Sequence, residues 1–211
     1  MRLRERFQVT LAHQLGNPSG VPGRAVAAML NRGNRATVTA AVDAARVSPG
    51  EHAADLGFGG GVGVPLLLDR VGPGGRVYAI DQSTTMVTRA ARRFRREIAG
   101  GRLTVREGTL AALPLADESL DAAVTVNTVY FVPELSPFFA ELARVLRREG
   151  RVVIGIGDPD GMAELPFTRH GFTIRPVPGL VAELERAGLT VADHRRVGSG
   201  ERAFHLLVAR R

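Results

Sequence analysis

Residues Ala53 to Gly61 read Ala-Ala-Asp-Leu-Gly-Phe-Gly-Gly-Gly, a short apolar strand running straight into a glycine-packed turn. Residues Arg76 to Asp81 form a second apolar strand that ends in a lone acid, 20 residues past Gly61. Between them the spacing predicts a helix over 62–71, stopped by Gly72-Pro73-Gly74-Gly75. A strand, a helix and a strand in that order make a parallel pair with a right-handed crossover. This one unit already commits the chain to an α/β sheet covered by helices.

The same unit carries chemistry. Glycines at a strand exit let a ligand approach the backbone, because no Cβ stands in the way. A carboxylate at the tip of the next strand can accept hydrogen bonds from both ribose hydroxyls, so the pair suits an adenosine. A nicotinamide dinucleotide site would read G-x-G-x-x-G. From Gly57 that pattern needs glycine at position 62, where Val62 stands. The chain instead places an acid two residues before the first glycine: Asp55, Gly57, Gly59, Gly61. Asp55 would repel a pyrophosphate and suits a cationic ligand.

The rest of the chain repeats the alternation. Residues 1–22 read as a polar stretch broken by Gly16, Pro18, Gly20 and Pro22, and 24–46 as helix, interrupted around Gly33. The first strand is placed at 52–56 and the second at 76–80. Ser83 reads as the N-cap of a helix over 84–98. Further strands are expected at 103–107, 121–126 and 151–156, with a helix at 134–147 between the last two. After an irregular stretch over 157–176 come a helix at 177–187 and strands near 189–197 and 203–209. Only Gly198-Ser199-Gly200-Glu201 separates those last two strands, too short for a parallel crossover, so they pair as an antiparallel hairpin. The expected fold is a Rossmann-like, doubly wound, mostly parallel sheet closed by one C-terminal antiparallel strand.

Composition limits the partners. With 211 residues, 45% of them hydrophobic, the chain can build one packed α/β domain. It has no run of about 20 apolar residues to span a membrane and no apolar segment behind Met1 to act as a secretory signal, so cytoplasm is the expected compartment. It has no cysteine, which excludes disulfides, cysteine-ligated zinc and a cysteine nucleophile. The net charge is +7, yet every basic residue is arginine and none is lysine. That bias reads as a GC-rich coding habit more than as a polyanion site. The densest run, Arg89 to Arg96, reads as the solvated face of a helix.

The order and spacing of these segments resemble the class I S-adenosylmethionine (SAM)-dependent methyltransferases, of the type 11 kind that act on small molecules. The resemblance covers residues 36–211, leaving 1–35 as an N-terminal helical cap on the substrate side. It implies that Asp55, Gly57, Phe58, Gly59 and Gly61 wrap the methionine part of SAM. Asp81 would hold the ribose, Gln82 would lie against the adenine, and Met86 would pack on its other side. Gly108-Thr109-Leu110 sits where these enzymes usually have Gly-Asp-Ala, so Thr109 replaces an aspartate that accepts from the adenine amino group. A hydroxyl can accept there, at a loss of about 1 kcal/mol of charge assistance. Asn127 would lie at the tip of the fourth strand, beside the SAM amino group and the methyl. The product would be S-adenosylhomocysteine.

The sulfonium of SAM is already a good leaving group, so the protein need only align an acceptor atom behind the methyl and exclude water. A base is needed only for a protonated acceptor; His13, Tyr130 and His170 are the candidates. Asn127-Thr128-Val129-Tyr130 lacks the two prolines of enzymes that methylate exocyclic amines, and pyrimidine C5 methylation needs the missing cysteine. What remains is an O, N or C atom of a small molecule such as a secondary metabolite, a quinone or a phenol. Leu165-Pro166-Phe167 and Phe172 would suit a partly apolar acceptor. No metal is implied, nucleic acid is disfavoured as a partner, and a homodimer is compatible with this kind of enzyme. Three other readings stay open: an RNA methyltransferase resting on Arg89 to Arg96, a non-catalytic SAM-binding protein resting on Thr109, and a nicotinamide oxidoreductase.

Overall fold

A computed structural model describes residues 3–16, 20–200 and 203–211. The helices are α1 (Leu3–Gly16), α2 (Gly20–Ala45), α3 (Gly63–Val71), α4 (Thr84–Arg93), α5 (Arg95–Ala99), α6 (Leu135–Val145), α7 (Pro159–Glu164) and α8 (Val177–Arg186). The strands are β1 (His52–Leu56), β2 (Arg76–Asp81), β3 (Leu103–Glu107), β4 (Leu120–Val126), β5 (Leu146–Gly157), β6 (Thr190–Val197) and β7 (Phe204–Arg210). They form one sheet in the order β3-β2-β1-β4-β5-β7-β6. The pairs from β3 across to β5 are parallel. Only β7 runs against both of its neighbours, as the short link between β6 and β7 predicts.

Strict period-two alternation sends successive side chains to opposite faces. Ala53, Val77, Ala122, Val124 and Val153 face the layer built by α2, α3 and α4. Ala54, Ile80, Ala123, Val152 and Ile154 face the layer of Phe138, Phe139 and Leu142 from α6 and Leu180 and Leu184 from α8. Alanines in β1 and β4, all fully buried, let helices approach both faces of the sheet centre closely. Among the described residues no helix is long and apolar enough to cross a membrane.

Most expected boundaries fall within a residue or two of the observed ones, and the Ser83 cap is present: its hydroxyl accepts from the Met86 N–H. The structure differs in five places. The stretch over 1–22 contains a helix, α1, which the polar reading missed because polar residues are interspersed among its apolar Leu3, Phe7, Val9, Leu11, Ala12 and Leu15. Helix α2 passes Gly33 without a break, and nothing lies within 4 Å of where its Cβ would project. The helix over 84–98 divides at Phe94, which leaves the helical region (φ −105°, ψ 27°) to bury its ring. Strand β5 starts early, at Leu146, with Glu149 at φ 65° and a register shift opposite Leu120 and Ala122. Residues 157–176 hold α7 and a 3-10 turn over Pro166–Arg169 where an irregular run was expected.

Candidate active site

Strands β1, β2 and β4 end side by side, and their carboxyl ends open on a cavity of about 830 Å³. A crevice beyond those ends is where a doubly wound sheet binds ligands. The turn after β1 is shaped by its glycines. Gly57, Gly59 and Gly61 have φ of 70°, 50° and 70°, a region that costs other residues about 1–2 kcal/mol. Gly57 donates its N–H to the Ile80 carbonyl at 2.8 Å and has no room for a Cβ, which would meet Thr128. Gly59 is the opposite case: nothing lies within 4 Å of where its Cβ would project. Gly61 turns away from the cavity, toward the Phe94 ring.

Two buried carboxylates face this space. Asp81 uses Oδ2 to accept from the Gly59 N–H at 2.8 Å and Oδ1 to accept from the Ser83 N–H at 2.9 Å. The first of these bonds ties the tip of β2 to the glycine turn. Burial raises the Asp81 pKa, and the two N–H donors oppose that rise. Asp55 accepts no hydrogen bond from the described residues. Burial, and then the negative charge of Asp81, push its carboxyl up to about 7. An acid in that state attracts a cation, because an incoming positive charge relieves both causes at once.

Across the cavity, Asn127 holds the left-handed conformation at φ 58° and donates its N–H to the Gly155 carbonyl at 2.8 Å. Asparagine tolerates that conformation better than most residues. Arg175 donates to the carbonyls of Val129, Val132 and Pro133 and so pins the loop that follows. The wall beyond is apolar. Phe172 sits amid a ring cluster, 4.6 Å from Phe131 and 5.7 Å from both Tyr130 and Phe167 between centroids. Leu11 and Leu15 of α1 and Met162 of α7 complete it.

Most of the residues expected at the site meet here: Asp55, Gly57, Phe58, Gly59, Asp81, Gln82, Gly108, Thr109, Leu110, Asn127 and Tyr130 all line the cavity. Met86 does not; it is buried in the helix-side core, 1% exposed. Gln82 is exposed and donates Nε2–H to the Gly16 carbonyl at 3.0 Å, joining the tip of β2 to the end of α1. The Tyr130 hydroxyl accepts from the Gly157 N–H at 2.6 Å, and burial raises its pKa, keeping it protonated. In this structure it stands as a hydrogen-bonding group of the cavity wall. His170 is not among the lining residues. His13 lies on α1, and its side chain falls outside the described residues.

Sequence reasoning missed Gly60, Val62 and Gly63, although they continue the glycine motif. Asp55 Oδ2 lies 2.5 Å from where a Gly63 Cβ would be, so Gly63 leaves room for the acid. It also missed Thr37 and Val38 on α2 and Ala203 and Phe204 before and in β7. No local pattern marks these, since the fold brings them in from far along the chain.

A methyltransferase-domain family model matches residues 54–154, which run from β1 through the glycine turn and Asp81 into β5. An arsenite methyltransferase of Halobacterium salinarum is 36% identical over 110 residues, 52% of this chain and 28% of that protein. A ubiquinone/menaquinone biosynthesis C-methyltransferase of Paracoccus denitrificans is 30% identical over 150 residues, 70% of this chain and 60% of that one. The chain thus spans less than two thirds of the length of either relative. Among solved structures, a SAM-dependent methyltransferase from Aquifex aeolicus superposes with a TM-score of 0.71, covering 95% of this chain and 96% of that one at 22% identity. Sequence match, sheet order and glycine–acid geometry agree: residues 54–154 match the methyltransferase-domain family, and the fold is that of the class I SAM-dependent methyltransferases.

Proposed function

We propose that this chain transfers a methyl group from SAM to an O, N or C atom of a small, partly apolar molecule. The observation that carries the reading is the pairing of two unlike ends in one cavity. At one end Asp55 and Asp81 flank a glycine turn, and at the other the Phe131–Phe167–Phe172 cluster forms an apolar wall. The first end fits SAM in charge and in space. Asp55 is a buried carboxylate with no hydrogen-bond donor among the described residues, which suits a ligand bearing an ammonium and a sulfonium. The open space over Gly59 leaves a place for the ligand that any side chain there would fill.

SAM, once bound, supplies an activated methyl group on a sulfonium leaving group. The chain's residues then bind and orient. Each Asp81 oxygen keeps acceptor capacity beyond its one N–H donor, enough for the ribose hydroxyls. Asn127 would serve the amino-acid part, and Gly108, Thr109 and Leu110 the adenine end. Residues 1–35 would act as a cap, because Leu11, Leu15 and Gly16 close one side of the cavity. The apolar wall would exclude water and hold a phenol, a quinone or a similar acceptor. The two sequence relatives are named for acceptors as unlike as arsenite and a quinone, so the shared domain leaves that choice to the walls.

Calorimetric titration with SAM and with S-adenosylhomocysteine tests this. Both are expected to bind near micromolar, about −8 kcal/mol. Absence of binding by either would sink the reading.

A further inference from the structure

One group of titratable side chains lies outside the cavity and serves neither end directly. Asp158 follows β5 and precedes α7. Its Oδ1 accepts from the Gly161 N–H at 3.2 Å, capping α7. Its Oδ2 accepts from Arg196 Nε at 3.0 Å and from His205 Nε2 at 3.1 Å, one on β6 and one on β7. Its backbone N–H donates to the Ala203 carbonyl at 2.9 Å. A fourth group extends the chain: His194 Nε2 lies 2.8 Å from His205 Nδ1. One of these two ring nitrogens donates to the other. Burial, then His205, push the His194 pKa down, which favours its neutral form. His205 and then Arg196 hold the Asp158 carboxyl down at about 2, so it stays ionised.

Asp158 therefore grips two elements at once. One is the closing hairpin of β6 and β7. The other is α7, which presents Met162 to the cavity. The grip extends along the chain, because the Thr168 hydroxyl bonds to the carbonyls of Met162 and Leu165 and fixes the turn that carries Phe167. Met162, Leu165 and Phe167 all line the apolar end. None of these contacts reaches Asp55 or Asp81.

We propose that Asp158 is a positioning residue for the acceptor: through its cap on α7 and its bonds to Arg196 and His205 it sets the Met162–Phe167 wall and so selects what fits there. The proposal rests on the reading of the apolar end as the acceptor end. Asp158 is not among the residues that line the cavity and acts only through others.

The test uses the full chain with the methionine methyl groups labelled with carbon-13. Met162 reports the apolar wall, and the buried Met86 serves as the internal control. In wild type, 2-naphthol, a planar apolar probe, is expected to shift the Met162 signal and leave Met86 in place. Asp158→Ala should move and broaden the Met162 signal and weaken 2-naphthol at least fivefold. S-adenosylhomocysteine affinity should stay within twofold. Asp158→Asn keeps an oxygen for the Gly161 N–H and should restore most of the 2-naphthol affinity. The proposal is overturned if 2-naphthol leaves Met162 unmoved in wild type, or if Asp158→Ala leaves both readouts unchanged. It is also overturned if Asp158→Asn loses 2-naphthol and S-adenosylhomocysteine in equal measure, which marks a merely structural role. Failure of wild type to bind S-adenosylhomocysteine would remove the methyltransferase reading, while the Met162 signal still decides the role of Asp158.

Discussion

Replacing Asp55 with asparagine removes a charge that the empty fold holds at a cost. Its carboxyl rises from 3.8 to about 7 on folding, because it is buried beside Asp81. Between those values the native chain binds the proton more tightly than the unfolded chain does. Stability therefore falls as pH rises through that window. At about 1.4 kcal/mol per unit, the full shift amounts to roughly 4 kcal/mol by pH 8. At pH 5 the same arithmetic leaves about 1.7 kcal/mol, because the unfolded carboxyl has already ionised. Asparagine, neutral throughout, escapes both penalties. Its advantage over wild type should thus grow by about 2–3 kcal/mol between pH 5 and pH 8, or roughly 5–10 °C in Tm for a domain of this size. Differential scanning calorimetry of both proteins across that range, without ligand, reads this directly. Titration with S-adenosylhomocysteine at pH 8 should show the opposite sign, with affinity lost by about 1.5–3 kcal/mol as the ammonium loses its partner. An advantage that is flat or shrinking with pH would refute the reasoning, since it would mean that the folded chain already satisfies the Asp55 charge.

Other substitutions probe the remaining parts of the site. Asp81→Ala should weaken SAM by about 1.5–3 kcal/mol by calorimetry, the worth of hydrogen bonds to a charged group; an unchanged affinity would take Asp81 out of the site. Gly59→Val should abolish SAM binding, because its side chain enters the open cavity, with about 1–2 kcal/mol of strain in the Tm; persistent binding would make the turn purely structural. Gly57→Ala should instead destabilise the fold, because its Cβ would collide with Thr128 Cγ2; a Tm at the wild-type value would contradict the packing described. Below pH 7 wild type should release a proton on binding S-adenosylhomocysteine, seen as a binding heat that varies with buffer ionisation enthalpy, as Asp55 ionises to meet the ammonium.

The cofactor end was legible because its chemistry is local. Asp55, Gly57, Gly59 and Asp81 lie within one strand–helix–strand unit, so spacing along the chain translates directly into distance in space. The same holds for the hairpin, where a short link permits only one pairing. The apolar end was legible only in part, in Tyr130, Leu165, Phe167 and Phe172, because it is assembled from α1, the loop after β4, α7, the 3-10 turn over Pro166–Arg169 and the start of β7. No periodicity joins Leu15 to Phe172. Met86 failed for a related reason: the inward stripe of α4 that marks a helix as amphipathic also hides its residues in the core, and sequence does not separate a core methionine from one touching a ligand.

This division follows from how the fold builds its two ends. A parallel strand tip is rigid, held on both sides by ladder bonds and on both faces by helices. Charged groups placed there keep their geometry whatever the surrounding loops do. Asp55 and Asp81 can therefore remain in register with the sheet while the opposite wall is redrawn. That wall hangs on side-chain bonds: Arg175 on three carbonyls, Thr168 on two, and Asp158 on a helix cap and two cations or donors of the hairpin. Each such bond can be exchanged for another without disturbing the strands. A substitution at Asp158, Thr168 or Arg175 should consequently alter which acceptor is taken, whereas one at Asp55, Gly59 or Asp81 should alter whether SAM is held at all.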